Sequence, residues 1–205
     1  VRFVSRHMPE NFRASLRSKG HGFKFLTSSR DGAAIDDVAH SHWLGVSQAD
    51  DAAETSEALS DQAWDWLIVD HYALDARWET SARPLVKSIL VIDDIADRSH
   101  DCDVLLDQNF YDDMNERYVG KVPAHCSLLL GPRYALLRQE FRDARKQAKP
   151  RSGSVKRILV FFGGVDADNY TALAIKALGR IEFSEVHVHV DVVIGAQHPY
   201  RDQIE

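Results

Sequence analysis

Short apolar runs alternate with helix-forming stretches along this chain, and this alternation restricts the fold more than any other feature of the sequence. Trp66–Val69 and Ile89–Ile92 are uninterrupted apolar runs, and a helix-like stretch precedes each of them. Uninterrupted apolar runs are typical of strands that are buried on both faces of a parallel sheet. The alternation therefore predicts an α/β protein with largely parallel sheets.

The other elements predicted from the sequence continue this alternation along the chain. Glycine and proline residues end several of them, because glycine favours helix termination and proline cannot continue a helix. The predicted helices are residues 10–19, 50–64, 74–83, about 134–147 and about 169–178. The further predicted strands are residues 1–5, 21–26, 104–106, 128–130, 157–162 and 186–194.

A polar segment with proline, glycine and serine, residues 149–154, separates a predicted helix from the next strand. Such a composition is typical of a linker between domains. We therefore predict a Rossmann-like domain at residues 1–148 and the start of a second, nucleotide-binding Rossmann-like domain at residues 155–205. The chain begins directly in a strand-like run and ends soon after another, so we expect it to be an internal segment of a longer protein.

The charge and the cysteine content of the chain bear on its partners and its location. With 25 basic and 31 acidic residues the net charge is −6, whereas a protein that grips nucleic acid needs a basic face. No apolar run reaches the roughly 18 residues that span a bilayer. Cys102 and Cys126 are too few for a disulfide framework and favour a reducing cytoplasm. We predict a cytoplasmic protein with no nucleic-acid and no membrane partner, and the sequence leaves the oligomeric state open.

Three polar residues follow the first buried run directly: Asp70, His71 and Tyr72. In open parallel sheets, ligands bind in the crevice beyond the carboxyl ends of the strands. A carboxylate, an imidazole and a phenol at that point offer a hydrogen-bond acceptor and groups that can transfer a proton. The alternative is that Asp70 caps the next helix and His71 is a structural residue.

A second candidate site is the loop of Gly163, Gly164, Asp166 and Asn169, which follows the strand predicted at residues 157–162. The glycines let the backbone approach a ligand closely, and the N-terminus of the next helix attracts anions. Phosphate binding and ordinary packing both fit this turn. The loop lacks the Lys-Ser/Thr pair of a P-loop, which argues against hydrolysis of a nucleoside triphosphate.

Two further groups of residues raise the question of a metal site. Asp93 and Asp94 follow the second buried run, but no further oxygen ligands follow in the pattern that a cation needs. We therefore favour a loop in which the side chain of Asp93 caps the backbone and Arg98 neutralises the negative charge. His187 and His189 share one face of a predicted strand, which is more typical of a polar strand face than of a metal site. We predict no metal.

Six segments occur in a characteristic order along the chain: His42–Gly45, Val69–Asp75, Ile92–Arg98, Cys102–Asn109, Gly131–Arg138 and Phe162–Asp166. The first of them is a mixed stretch that we otherwise interpret as a loop packed on the first domain. Together they resemble one family, the UDP-sugar hydrolases of pseudaminic-acid biosynthesis. The resemblance covers nearly the whole chain, and six ordered motifs are more specific than any one alone.

The resemblance implies a glycosyltransferase-B-type fold, with two Rossmann-like domains, the second incomplete in this chain, and the substrate between them. It further implies hydrolysis of UDP-2,4-diacetamido-2,4,6-trideoxy-β-L-altropyranose to UDP and the free sugar. Water attacks the anomeric carbon, and neither a metal nor a cofactor takes part. A nucleoside diphosphate is a good leaving group, so a strong general acid is less necessary than in ordinary glycoside hydrolysis.

The site residues of the family carry over only in part. The histidine that acts as general base in the family follows a glycine-rich turn, and no residue of this chain matches it. The candidate catalytic residues that match the cleft-lining motif are Tyr72, His71 and Asp70. The residues that match the loop near the diphosphate are Gly163, Gly164, Asp166 and Asn169.

Two other functions remain open from the sequence. The same fold serves glycosyltransferases, which pass the sugar of a UDP-sugar to an acceptor instead of water, and fold does not determine function. A non-catalytic module that binds a sugar nucleotide is the other alternative. In each case the expected partner is a small UDP-sugar.

Overall fold

The computed structural model of the 205-residue chain describes residues 1–27, 36–150, 152–181, 187–196 and 198–204. It divides into two compact units, Val1–Arg138 and Gln139–Glu205. This division lies before the linker predicted at residues 149–154, and the assignment of that segment as a linker stays a prediction. Each unit is described by itself below.

The first unit contains two parallel sheets. One has two strands, β1 (Arg2–Ser5) and β2 (Gly22–Phe25), connected by helix α1 (Glu10–Ser18). The other has four strands in the order of the chain, and all of its pairs are parallel. Its strands are β3 (Trp64–Val69), β4 (Val86–Ile92), β5 (Val104–Asp107) and β6 (Ser127–Leu130), and its helices are α2 (Gln48–Leu59) and α3 (Ala76–Ala82).

The core of the first unit lies on one face of the four-stranded sheet. In the register of the strands, Val69 lies beside Val91 and Val91 beside Leu105, so these side chains share one face. Trp78 of α3 belongs to the same buried cluster and is 4% exposed. Side chains from three strands and a helix thereby exclude water on that face, which is the main source of stability in such a fold.

Strand β3 differs from its prediction as a strand buried on both faces. Trp66 and Ile68 are 51% and 62% exposed, although Val69 on the other face is buried. The reason is that the buried core cluster lies on the face of Val69 and includes neither Trp66 nor Ile68. Among the described residues β3 is also an edge strand, since it pairs only with β4. An apolar run in the sequence therefore does not show which of its faces is covered.

Ion pairs connect the two-stranded sheet to helix α2. Arg6, which follows β1, lies 2.9 Å from a carboxylate oxygen of Asp51 and 2.9 Å from one of Glu54, both on α2. Arg2 on β1 donates two hydrogen bonds to Asp61, just beyond α2, at 2.6 and 2.7 Å. These contacts hold β1 beside the helix that leads into β3.

Two predicted helices differ most from the structure in their bounds. Helix α2 starts at Gln48, where the Oγ of Ser47 accepts the backbone N–H of Asp50, and it ends at Leu59 because β3 already begins at Trp64. The helix predicted from residue 134 starts only at Gln139, as α4 (Gln139–Gln147). Before it, the backbone N–H of Leu136 donates to the Oε1 of Gln108, so the chain is hydrogen-bonded elsewhere.

The second unit has a parallel pair, β7 (Arg157–Val160) and β8 (His189–Val192). Its helices are α4, α5 (Tyr170–Leu178) and α6 (Arg201–Ile204). The predicted strand at residues 186–194 is shorter in the structure, and Val186 lies outside the described residues. Within β8, the Nε2 of His189 lies 3.1 Å from a carboxylate oxygen of Asp191.

These units confirm the prediction of an α/β protein with parallel, Rossmann-like sheets. A search of the described residues finds no helix that is both long enough and apolar enough to cross a membrane.

We expect Leu105→Ala to lower the free energy of unfolding by about 2–5 kcal/mol, because the truncated side chain leaves a cavity in the middle of the sheet. Leu105 is 0% exposed, whereas Val119 is 74% exposed and supplies the matched control Val119→Ala. Urea denaturation followed by circular dichroism measures both changes. Equal midpoints for the two variants would show that the core does not lie at β5.

Candidate functional site

Polar side chains gather where β3, β4 and β5 end. Asp70 and Tyr72 follow β3, Asp94 follows β4, and Gln108 and Asn109 follow β5. Because these strands are parallel, their carboxyl ends lie at the same edge of the sheet, where ligands of such sheets bind.

Tyr72 and Asp94 form the central contact of this edge. The hydroxyl of Tyr72 donates to Oδ1 of Asp94 at 2.6 Å, and the side-chain amide of Asn109 donates to the other oxygen at 2.8 Å. The backbone carbonyl of Asp94 accepts hydrogen bonds from Tyr111 at 3.1 Å and from Arg117 at 2.6 Å. Asp94 is therefore fixed at both carboxylate oxygens and at its backbone.

The hydrogen bond to Asp94 raises the pKa of Tyr72 to about 12, and burial and the charge of Asp94 act in the same direction. A neighbouring carboxylate disfavours the phenolate because it adds a second negative charge. The hydroxyl of Tyr72 consequently keeps its proton at neutral pH, and in this structure it donates that proton to Asp94.

A cavity of about 140 Å³ opens beside this pair. Carboxylates, a phenol and an amide meet a few apolar side chains in its wall, which suits a polar organic ligand with an apolar part. The lining residues are Asp70, Tyr72, Ile92, Asp93, Asp94, Leu106, Gln108 and Leu136.

A larger and more open cavity of about 570 Å³ lies where the segment before α2 and the loop after β4 meet the N-terminus of α3. Asp37, Asp75, Arg77 and Arg98 are in its wall. The charges of this cavity neutralise one another. Arg77 pairs with Asp37 and Asp75 at 2.6 Å each, and Arg98 pairs with Asp97 at 2.9 Å. The smaller cavity is the better candidate because Asp70, Asp94 and Gln108 line it directly at the strand ends.

Of the three residues predicted at the end of β3, the structure brings Asp70 and Tyr72 together in the smaller cavity, and His71 is not among its lining residues. The Nδ1 of His71 accepts the backbone N–H of Ala73 at 3.1 Å, and burial lowers the pKa of the imidazole. The alternative that Asp70 caps the next helix is wrong, since Asp75 caps α3 by accepting the N–H of Arg77 at 2.9 Å.

Asp93 also lines the smaller cavity, although its side chain is almost completely buried. Its Oδ2 accepts the backbone N–H of Ala96 at 2.9 Å, and Nη1 of Arg98 lies 2.9 Å from its Oδ1. These contacts confirm the interpretation of the Asp93–Arg98 loop: the carboxylate of Asp93 caps the backbone, and Arg98 neutralises its charge. A buried carboxylate needs such partners, because an unpaired charge is very costly away from water.

A buried histidine also faces Asp93. The Nδ1 of His100 lies 2.8 Å from Oε1 of Glu79, and its Nε2 lies 3.8 Å from Oδ2 of Asp93. Burial acts to lower the pKa of His100, but Asp93 and Glu79 outweigh it and raise the pKa to about 9. Burial likewise acts to raise the pKa of Asp93, but His100 and Arg98 outweigh it and lower the pKa to about 2.

Tyr118 connects the loops that follow β4 and β5. Its hydroxyl lies 2.9 Å from the carbonyl of Asp93, and 3.1 Å from carboxylate oxygens of both Asp93 and Asp107. Tyr118 is 1% exposed. The loops that carry Asp94 and Asn109 are thereby held by one buried hydroxyl.

The loop predicted to bind phosphate lies in the second unit, between β7 and α5. Asp166 accepts the backbone N–H groups of Tyr170 at 2.9 Å and Thr171 at 2.8 Å, and Asn169 accepts that of Ala172 at 3.3 Å. The first turn of α5 is therefore capped by the chain itself. Burial acts to raise the pKa of Asp166, but its hydrogen bonds with Thr171 and Tyr170 outweigh it and lower the pKa to about 2.

The glycines of this loop lie close to another part of the backbone. Gly163 has a φ of 83°, a conformation that favours glycine. A Cβ at Gly195 would lie 2.0 Å from the carbonyl oxygen of Gly164, whereas a Cβ at Gly164 would meet nothing within 4 Å. One side of Gly164 thus packs against the loop after β8, and the side where its own Cβ would project is open.

Sequence reasoning did not propose Asp94, Gln108 or Asn109 as site residues. The signal that could have found them is the one that found Tyr72, since each follows the end of a predicted strand of the same parallel sheet. In the ranges described above, no group of three or more His, Cys, Asp or Glu side chains is arranged to hold a metal ion.

No model of a known protein family matches the chain. The chain is 28% identical over 145 residues to a Campylobacter jejuni protein, UDP-2,4-diacetamido-2,4,6-trideoxy-beta-L-altropyranose hydrolase. It is also 25% identical over 143 residues to an uncharacterized protein of Methanocaldococcus jannaschii. Each match covers 68% of this chain, but only 48% of the Campylobacter protein and 29% of the other. The chain is thus distantly related to an enzyme that acts on a sugar nucleotide.

As the pH rises from the ordinary pKa of histidine to the pKa of His100 in the folded protein, we expect the free energy of unfolding to fall by on the order of 1–3 kcal/mol. The folded pKa, about 9, exceeds the ordinary value of 6.5, so the stabilisation is complete below pH 6.5 and is lost as the pH rises through 9. The pKa of Asp93 is lowered instead, so the stabilisation that its carboxylate contributes is present above pH 3.8 and is lost as the pH falls towards 2.

Urea denaturation between pH 6 and 10 measures this effect. His100→Asn is expected to remove the fall, and His125→Asn is the matched control, because the side chain of His125 is 61% exposed. A fall of the same size in the His100 variant would mean that another group causes it.

Proposed function

We propose that the protein hydrolyses a UDP-linked 2,4-diacetamido-2,4,6-trideoxy sugar to UDP and the free sugar, in the biosynthesis of pseudaminic acid. The observation that carries the proposal is the Tyr72–Asp94 pair beside a polar cavity at the ends of β3–β5. The distant similarity to a UDP-sugar hydrolase supports the same conclusion. A glycosyltransferase-B-type arrangement of two Rossmann-like domains belongs to this proposal.

In the proposed reaction, water attacks the anomeric carbon, and the bond from that carbon to the diphosphate oxygen breaks. The electron pair of that bond leaves with UDP, whose phosphate stabilises the charge without a strong general acid. One proton of the water passes to a base as the sugar hydroxyl forms. The histidine that serves as this base in the resembled family has no match here, so we assign the residues of this chain to the binding of the sugar and the diphosphate.

At the sugar, the groups of the smaller cavity have complementary roles. The carboxylates of Asp70 and Asp94 accept hydrogen bonds from sugar hydroxyl and amide N–H groups. Tyr72 donates its single proton to Asp94 in the free protein and becomes the donor for a sugar oxygen when a sugar hydroxyl or amide N–H takes its place on Asp94. The Tyr72–Asp94 hydrogen bond of the free protein holds the phenol in place until the sugar arrives, so its orientation costs little on binding.

At the diphosphate, the proposed contact is the loop of the second unit. Gly163 and Gly164 let the backbone approach the phosphate oxygens, while Asp166 and Asn169 fix the shape of the loop by capping α5. The substrate is a small polar molecule, and we place the protein in the cytoplasm. The chain has only two cysteines, Cys102 and Cys126, too few for the disulfide framework of a secreted protein, which favours a reducing compartment.

The test is UDP release from the nucleotide sugar, measured by chromatography with the protein expressed from its full open reading frame. Release in the absence of any acceptor supports the hydrolase. Release that depends on an added acceptor would instead indicate a glycosyltransferase. Tight binding of the nucleotide sugar without any release would indicate a non-catalytic binding module.

We expect Tyr72→Phe to lower kcat by about 10- to 100-fold, because one hydrogen bond to the reacting sugar is lost. The affinity for UDP, measured by product inhibition, should change less than threefold on the same grounds. Tyr134→Phe is the matched control, since that hydroxyl accepts a hydrogen bond from the adjacent Arg133 and is not in the lining of the cavity. An unchanged kcat in the Tyr72 variant would exclude this role.

We expect Gly164→Ala to weaken UDP binding by about 3- to 30-fold, because the added methyl group occupies the space through which the phosphate approaches the backbone. The Cβ itself meets no protein atom within 4 Å, so the variant should fold normally. Gly179→Ala, at the end of α5, is the control for a general effect of adding a methyl group to the second unit. Isothermal titration with UDP measures both, and equal affinities would limit this loop to a structural role.

A further inference from the structure

Trp43 lies at the end of the short turn Ser41–Trp43 and is 55% exposed. Three aromatic side chains contact its ring: His40 with a centroid distance of 4.6 Å, His42 at 5.8 Å and Tyr72 at 5.8 Å. The ring of His40 also lies 5.6 Å from that of Tyr72. An exposed indole is thus held directly beside the tyrosine of the candidate site.

The turn fixes Trp43 in place although its side chain is exposed. The backbone N–H of Trp43 donates to the carbonyl of His40 at 2.9 Å, and that of Leu44 donates to Ser41 at 3.0 Å. Ser41, Leu44 and Val46 around it are 8%, 7% and 7% exposed. Anchoring by buried neighbours reduces the conformational entropy that the indole would lose on binding a ligand.

Trp43 differs from the tryptophans that have a structural role. Trp78 is 4% exposed and donates its indole N–H to Asp51 at 2.9 Å, and Trp64 donates its own to the carbonyl of Leu59 at 2.9 Å. Among the residues that the structure describes, no acceptor is found for the indole N–H of Trp43. Its flat face and its donor are both available to a ligand.

The surroundings of Trp43 indicate the chemistry of that ligand. The aromatic rings offer an apolar face, and Tyr72, which contacts Trp43, lines the smaller cavity together with the hydrogen-bond acceptors Asp70 and Asp94. The carboxylates disfavour the anionic diphosphate of a nucleotide at this point. A pyranose ring satisfies both features, since it presents C–H groups on its face and hydrogen-bond donors at its rim.

We propose that Trp43, together with Tyr72, forms an aromatic wall against which the sugar ring of the substrate packs. This inference deepens the proposed function and rests on it. It assigns the recognition of the sugar to the segment His42–Gly45.

Tryptophan fluorescence tests the contact without turnover. Addition of the free 2,4-diacetamido-2,4,6-trideoxy sugar should change the emission of the wild-type protein, and UDP alone should not. Trp43→Phe should abolish the change, whereas the matched control Trp66→Phe, which removes an indole that is 51% exposed on β3, should keep it. A change that persists in the Trp43 variant, no change in the wild-type protein, or an equal change with UDP alone would overturn the proposal.

Steady-state kinetics separate this proposal from the proposed function. Trp43→Ala should raise KM for the nucleotide sugar on the order of tenfold, with inhibition by UDP unchanged within about twofold. Trp43→Phe, which keeps an aromatic face, should restore most of the affinity. If the wild-type protein releases UDP and both variants keep its KM, the aromatic wall is excluded and the hydrolase stands. If the wild-type protein releases no UDP, the proposed function itself fails.

Discussion

The buried charge of Asp93 is the constraint on which the architecture of the site depends. A carboxylate that is 1% exposed needs a cation and hydrogen-bond donors, and the chain supplies Arg98, His100, the N–H of Ala96 and the hydroxyl of Tyr118. These partners come from two loops, the one that follows β4 and the one that follows β5, so satisfying one charge fixes the course of both. Because Asp94 is the next residue, the same contacts set its position relative to Tyr72.

The first unit could be predicted well wherever one local pattern decides the outcome. Apolar runs and turn signals located β3–β6, and the rule for strand ends located Asp70 and Tyr72. The pairing of Asp93 with Arg98 was also predictable, since both lie in one short loop. The contact of Asp94 with Tyr72 could not be predicted, because the two residues are 22 positions apart and meet only through the register of β3 and β4.

The second unit shows a different limit of sequence reasoning. A carboxylate two residues after a glycine pair fits a ligand-binding loop and a helix cap equally well, because both use the same backbone N–H groups. In the structure Asp166 already accepts those of Tyr170 and Thr171. The helix cap depends on the left-handed conformation of Asp166 and Asn169, whose φ angles are 42° and 56°. This conformation is unusual for residues with side chains.

The exposed face of β3 affects how the chain behaves in solution. Trp66 and Ile68 place a wide apolar surface beside a strand edge that, among the described residues, has no partner. Such an edge is a template for a strand of another molecule. Pairing between two molecules at this edge increases with protein concentration. Refolding of the chain from denaturant therefore competes with intermolecular strand pairing, and dilution or a partner that covers β3 shifts the balance towards the native fold.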